Sequence, residues 1–154
     1  MSYEFTEADF SISEKIEILL RKLNMTQTDL AEKLDDTPLA IHFRIENDCW
    51  QESEIQDIAN ACGIKYYFGF DYGNYKRDIL LGRYYLPVST QVRCLLRDTG
   101  LTQTELAERL DMTKMAVNNK LRRGNWTQKG LYQFAKALNV RPCVSFILED
   151  GTEI

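Results

Sequence analysis

The nine residues TQTDLAEKL at 26–34 return 76 positions later as TQTELAERL at 102–110. Seven of the nine positions are identical, and the other two are Asp/Glu and Lys/Arg exchanges. The same offset pairs Leu19-Leu20-Arg21 with Leu95-Leu96-Arg97, Trp50 with Trp126, and Ala59 with Ala135. The two halves align without a gap from Ser13 to about Phe70. A duplication of this kind restricts the fold to two small, similar units. Each is too short to bury a large core, so each must lean on the other.

The units read in parallel. In the first, Ser11 and Glu14 form a capping-box pattern ahead of Ile16, Leu19, Leu20 and Leu23, which recur at helical spacing and stop at Asn24. In the second, Val92, Leu95 and Leu96 carry the stripe, Ser89 is expected to cap it, and Gly100 ends it. A second helix is predicted over 27–34 and again over 103–110, each opened by a Thr with an acid three residues on. Asp35 and Asp111 occupy the corner that follows, where Asp tolerates a positive φ. Thr37 and Thr113 are predicted N-caps of a third helix, with Pro38 suited to the first helical position. A fourth helix shows Ile55, Ile58, Ala59 and Cys62, matched by Leu131, Phe134, Ala135 and Leu138. Gly63 and Asn139 end it.

The period then changes to two. Tyr66, Phe68, Phe70 and Tyr72 alternate with Lys65, Tyr67, Gly69 and Asp71, and Val144, Phe146 and Leu148 alternate near the end. Asp150-Gly151 is a hairpin signal and Gly73-Asn74 a looser one. Residues 79–85 are a candidate further strand, and 75–88 an ordered connection rich in large apolar residues. The expected fold is mainly α, with two tandem four-helix units, each followed by a short antiparallel hairpin or strand. The boundary is placed at 1–74 and 75–154.

Apolar residues make up 44% of the chain and charged residues 27%, as in ordinary globular proteins, and no apolar run approaches a membrane span. The acidic start MSYEFTEADF lacks the basic head of a signal peptide, so a cytoplasmic protein is expected. Cys49, Cys62, Cys94 and Cys143 form no C-x-x-C and read as small buried hydrophobes or idle thiols. Net charge is −4, but it is unevenly distributed. Residues 1–76 carry seven Lys/Arg against fifteen Asp/Glu, and residues 77–154 carry twelve against eight. The halves are therefore expected to do different work.

Gln103, Ala107, Asp111 and Val117, with Gln27, Ala31, Asp35 and Ile41 before them, sit where the Cro/lambda-repressor-like (XRE-type) helix-turn-helix family carries its signature. The chain resembles that family, tandem duplicated, over about four fifths of each repeat. Asp stands at the corner in both repeats where the family usually has Gly. The physical reading is independent of the name. A small Ala lets two helices cross closely, and Val117 and Leu121 bury one face of the third helix, which leaves the other face for a groove. The resemblance implies double-stranded DNA as the partner of the second repeat. Thr102 and Gln103 would lie at a phosphate near the second helix N-terminus. Thr113, Lys114, Met115 and Asn118 would face base edges, with Asn suited to adenine, Lys to guanine and Met to a thymine methyl. Asn119, Lys120, Arg122, Arg123 and Lys129 would approach phosphates. Trp126 either packs at the base of the fourth helix or flanks a sugar, and its match to Trp50 favours the core.

The first repeat departs at these positions. Lys114 is replaced by Pro38, Asn118 by His42, Arg122 by Glu46, Arg123 by Asn47 and Gly124 by Asp48. Carboxylates near phosphates repel, and each lost cation lowers the counterion-release gain. The face of Pro38, Leu39, His42 and Glu46 is therefore a candidate protein-contact surface. His42, the sole histidine, has no nucleophile or carboxylate in motif spacing. The sequence offers no paired acids, phosphate loop or metal-ligand cluster, so no catalytic role, metal or cofactor is expected.

The expected function is a sequence-specific DNA-binding transcriptional regulator of bacterial or phage type, a repressor or autoregulator. Two strong readers, roughly 34 Å apart, would come from the two chains of a homodimer. The competing reading is a protein-interaction module, an antagonist of a host nucleic-acid enzyme encoded on a mobile element, that works through the acidic first repeat. A scaffold that only dimerises is the third.

Overall fold

The computed structural model describes residues 5–72 and 86–154. A single 3-10 turn, Glu7–Asp9, precedes α1 (Ile12–Lys22), α2 (Gln27–Lys33), α3 (Pro38–Asn47), α4 (Glu52–Cys62) and β1 (Lys65–Asp71). The order then repeats as α5 (Val88–Thr99), α6 (Gln103–Leu110), α7 (Lys114–Arg123), α8 (Gln128–Leu138) and β2 (Arg141–Ile147). The described residues are thus mainly helical with one two-stranded antiparallel sheet. No helix among the described residues is long and apolar enough to cross a membrane. The candidate turn at Gly73-Asn74, the candidate strand at 79–85 and most of the connection 75–88 lie outside the described residues.

Local chemistry sets the helix ends. Thr26 with Asp29, and Thr102 with Glu105, make complete capping boxes at α2 and α6. Asp35 and Asp111 both turn the following corner at φ 55°. Thr37 Oγ accepts from Ala40 N–H at 3.1 Å, and Thr113 Oγ from Ala116 N–H at 3.0 Å, opening α3 and α7. Gly63 and Asn139 close α4 and α8 in the left-handed conformation. Ala31 and Ala107 are buried where α2 crosses α3 and α6 crosses α7.

One expected cap is corrected. Ser89 lies inside α5, whose N-cap position is Pro87. The Ser89 hydroxyl is buried and accepts from the Trp126 indole N–H at 3.1 Å. Its counterpart Ser13 accepts from Trp50 at 2.9 Å. Each indole is thus buried with its one polar atom satisfied, and Trp126 also meets Phe134 edge-on at 4.8 Å. Burying an aromatic side chain of this size contributes about 2–3 kcal/mol, provided its donor is not orphaned. Both tryptophans are therefore core residues, not surface ones.

The two strands pair with each other, and the pairing obeys the repeat. Phe68 faces Val144, its own counterpart 76 residues on, and the register runs outward symmetrically to Lys65↔Ile147 and Asp71↔Arg141. A second contact has the same property. Gln51 bridges Thr127, with Glu52 N–H donating to Trp126 O at 3.0 Å and Gln128 N–H to Trp50 O at 2.7 Å. This is the pattern of a two-fold, self-complementary interface, made within one polypeptide. The first helix of each half also crosses over: α1 packs on β2 and α5 on β1.

That crossing buries β1 on both faces. Tyr67 and Gly69, which alternate with Phe68 and Phe70 along the strand, are buried together with them. Gln91 of α5, 1% exposed, lies against the outer edge of β1. Its Oε1 accepts from Phe70 N–H at 3.0 Å, and its Nε2 donates to Leu86 O at 3.0 Å and reaches Phe68 O at 3.4 Å. The side-chain amide thus stands in for a neighbouring strand. The Tyr67 hydroxyl donates to Phe70 O at 2.5 Å and lies 3.1 Å from Gln91 Oε1, and burial pushes its pKa well up. A Cβ on Gly69 would fall 2.2 Å from Gln91 Oε1, so only glycine admits the amide. At the opposite edge the chain itself returns through Asp150-Gly151, as expected. Phe146 and Ile154 exchange backbone hydrogen bonds of 3.1 and 2.8 Å. Both edges of the sheet are therefore covered.

A second buried glutamine joins the halves. Gln128 Oε1 accepts from Trp50 N–H at 3.2 Å, and its Nε2 donates to Phe10 O at 3.0 Å and to Asp48 Oδ1 at 3.2 Å. Asp48 Oδ1 also accepts from Ile12 and Ser13 N–H, at 3.1 and 2.9 Å, and so caps α1. The residue sits at φ 47°, where its counterpart is Gly124, and the cap supplies a reason for Asp in that strained geometry. Burial pushes the Asp48 carboxyl up. Hydrogen bonds from Ser13, Ser11 and Gln128 outweigh this and hold it below the usual carboxylate range. Asp48 is thus a structural acid turned into the fold, not a charge aimed at a phosphate.

A folded pKa below the unfolded one means that stability is gained above about pH 4 and lost as pH falls through the lower folded value. Asp48→Asn should therefore cost about 1 kcal/mol at pH 7, and the gap to the parent should narrow as pH falls below about 4 in urea titrations. A gap that does not change with pH would contradict the charged cap.

Candidate nucleic-acid interface

α7 has two sharply different sides. Val117 and Leu121 are buried against α6 and α5, which fixes the rotation of the helix. The opposite side carries Lys114, Asn118 and Arg122 at successive i+4 positions, all exposed, with Met115 beside them at 73% exposure. Arg123 completes the basic end and is also exposed. Among the described residues no carboxylate lies within ion-pairing distance of Lys114, Arg122 or Arg123. Asn119 is half-buried and accepts from Arg122 Nη2 at 3.1 Å, which orients that guanidinium instead of presenting a free amide. Thr113 is exposed at the N-cap, and Lys129 is exposed in the first turn of α8.

Three expected contacts sit differently from this ridge. The Lys120 amine donates to the Asn125 carbonyl and lies 4.8 Å from the Trp126 ring centroid, and burial lowers its pKa. Its charge is committed to the corner after α7. Thr102 is exposed, but its N–H and hydroxyl both donate to Glu105 Oε1, at 3.3 and 3.0 Å. Gln103 is half-buried. The start of α6 therefore presents a carboxylate, with its N–H groups partly satisfied.

The matching helix α3 keeps the packing and changes the outer surface. Ile41 and Ile45 are buried where α7 has Val117 and Leu121. Pro38, Leu39, His42 and Glu46 are all exposed, as the alignment implies, with Leu39 at 62%. Phe43 joins them at 56% exposure, its ring 6.2 Å from that of His42. The sequence reading missed Phe43. The available signal was an aromatic at the position of Asn119, four residues after Leu39. Arg44, the counterpart of Lys120, is clamped by Asp36 at 3.1 Å and Glu54 at 3.2 Å. The second half has Met112 and Gly130 at those acid positions. No cation on the outer stripe of α3 remains.

Other chemistry is sparse. Among the described residues no group of three or more His, Cys, Asp or Glu is placed to hold a metal ion. The four cysteines are free, Cys49 exposed and the other three half-buried, which fits the second of the two expected readings, idle thiols. Comparison with family models, curated proteins and solved structures found no match.

Proposed function

We propose that the protein is a sequence-specific DNA-binding regulator that reads the major groove with α7, its two halves being helix-turn-helix units. The observation that carries this is the exposed side of α7. Lys114, Asn118 and Arg122 form one stripe, Met115 is open beside it, and no described carboxylate neutralises its cations. A single exposed methionine is ordinary on a solvated face, so Met115 adds only an apolar contact, 73% exposed, beside the cations and the amide. A groove wall, with phosphates flanking methyl groups and base edges, matches that mixture. On this reading Arg122 and Arg123 contact phosphates, Asn118 and Lys114 contact base edges, and Lys120 keeps a structural role.

The test is selection of bound duplexes from random DNA with the full chain, repeated with Asn118→Ala. The expected result is a defined site whose preference relaxes at one base pair in the variant, a loss of about 1–3 kcal/mol there. An unchanged preference would count against the docking of α7, and no enrichment at low salt would reject the function.

A second reading rests on the apolar pair Leu39 and Phe43 beside Glu46 on α3. In it, that half contacts a basic, apolar protein surface, as an antagonist of a nucleic-acid enzyme would. Recovery of a defined site by α7 leaves that contact as an addition, not a replacement.

A further inference from the structure

We infer that one chain, not a pair of chains, is the unit that occupies a duplex, and that its target is a non-palindromic site read strongly on one side only. This rests on the DNA-binding reading above and replaces the expected homodimer. A two-chain reader needs a self-complementary surface that brings two equivalent recognition helices together. Here that surface is already used within the polypeptide. Phe68 faces its own counterpart Val144, and Gln51 faces its counterpart Thr127.

The outer edges of the sheet are occupied at their centres. At β1 the Gln91 amide takes Phe70 N–H and reaches Phe68 O. At β2 the matching residue Phe146 is taken by Ile154. Neither edge offers a free row of donors and acceptors at its centre.

The internal dyad relates α7 to α3. The dyad mate of the reading helix therefore carries Pro38 for Lys114, Glu46 for Arg122 and Asn47 for Arg123. A duplex laid across both helices gains phosphate contacts at one and meets an uncharged or acidic stripe at the other. The site is then one half-site with a defined orientation, flanked by sequence that contributes little.

The test uses the full chain and a duplex of about 30 base pairs carrying the best selected site. Complexes are sized by light scattering with the duplex in excess and with the protein in excess. The expected result is one chain of 17.9 kDa per duplex at both ratios and a non-palindromic selected site. Trimming the duplex on the α3 side should change affinity by less than about threefold, and on the α7 side by more than tenfold. Two chains on a palindromic site would overturn the inference while leaving the regulator reading standing. No binding to any duplex at low salt would overturn both.

Discussion

Reversing the two charges at the end of α7, Arg122→Glu with Arg123→Glu, is expected to abolish duplex binding at physiological salt. Each arginine assigned to a phosphate adds about one released counterion, so its loss lowers the salt slope by roughly 0.9. The introduced carboxylates add repulsion. Together these should weaken binding by at least about a hundredfold on every sequence, selected or random. The fold should change little. Both side chains are exposed, and no described carboxylate pairs with them. The cost is the loss of two favourable charges at a helix C-terminus, about 0.3–1 kcal/mol each. Gel-shift titration at several salt concentrations, beside a thermal melt, separates the two effects. Binding that survives the reversal with an unchanged slope would move the interface away from α7. The same reversal at Lys120 would be less informative, because its amine is held by Asn125 and Trp126.

The largest stability effect is expected at Gln91. Gln91→Leu keeps the volume but removes the acceptor for Phe70 N–H and the donor to Leu86 O, in surroundings where Gln91 is 1% exposed. Leaving such groups unpaired costs about 1–3 kcal/mol each, so a loss of roughly 3–5 kcal/mol is expected. For a chain of this length that corresponds to a drop of about 10 °C in Tm. Gly69→Ala should approach the same loss by another route, because its Cβ would lie 2.2 Å from the amide oxygen and expel it. The two changes therefore should not add. In a Gln91→Ala background, Gly69→Ala should cost far less than in the parent, a coupling of more than about 1 kcal/mol in a double-mutant cycle. Additive costs in urea unfolding would mean that glycine is needed there for a reason other than the amide.

The sequence disclosed what is decided locally. Caps at Thr26, Thr37, Thr102 and Thr113 depend on residues three positions away, and the corners at Asp35 and Asp111 on one backbone angle. The buried and exposed sides of α3 and α7 followed from periodicity, which is why the stripe from Lys114 to Arg122 could be placed in advance. What stayed hidden depends on partners far along the chain. Gln91 matches Lys15 in the other half, so nothing in the repeat marks this polar residue as buried, and its partner Phe70 in β1 lies 21 residues earlier in the chain. Ser89, two residues after Pro87, has the spacing of a cap, yet it serves an indole 37 residues away, as Ser13 does. That equal spacing in both repeats was the available clue. Asp48 looked like a repulsive surface charge because its partners, Ile12, Ser13 and Gln128, come from three separate stretches. Lys120 was counted with the outer cations because a charge tally cannot see a side chain folding back onto Trp126.

On the single-chain reading proposed above, the pairing of β1 with β2 takes the place of a bimolecular step. A reader assembled from two copies falls apart on dilution, and its occupancy depends on the square of its abundance. Here each strand's mate lies in the same chain, so the pairing does not depend on protein concentration. Closing the intervening loop adds only a logarithmic entropic cost. On that reading, occupancy of a site would rise in simple proportion to the number of molecules made, without the threshold that reversible self-association imposes.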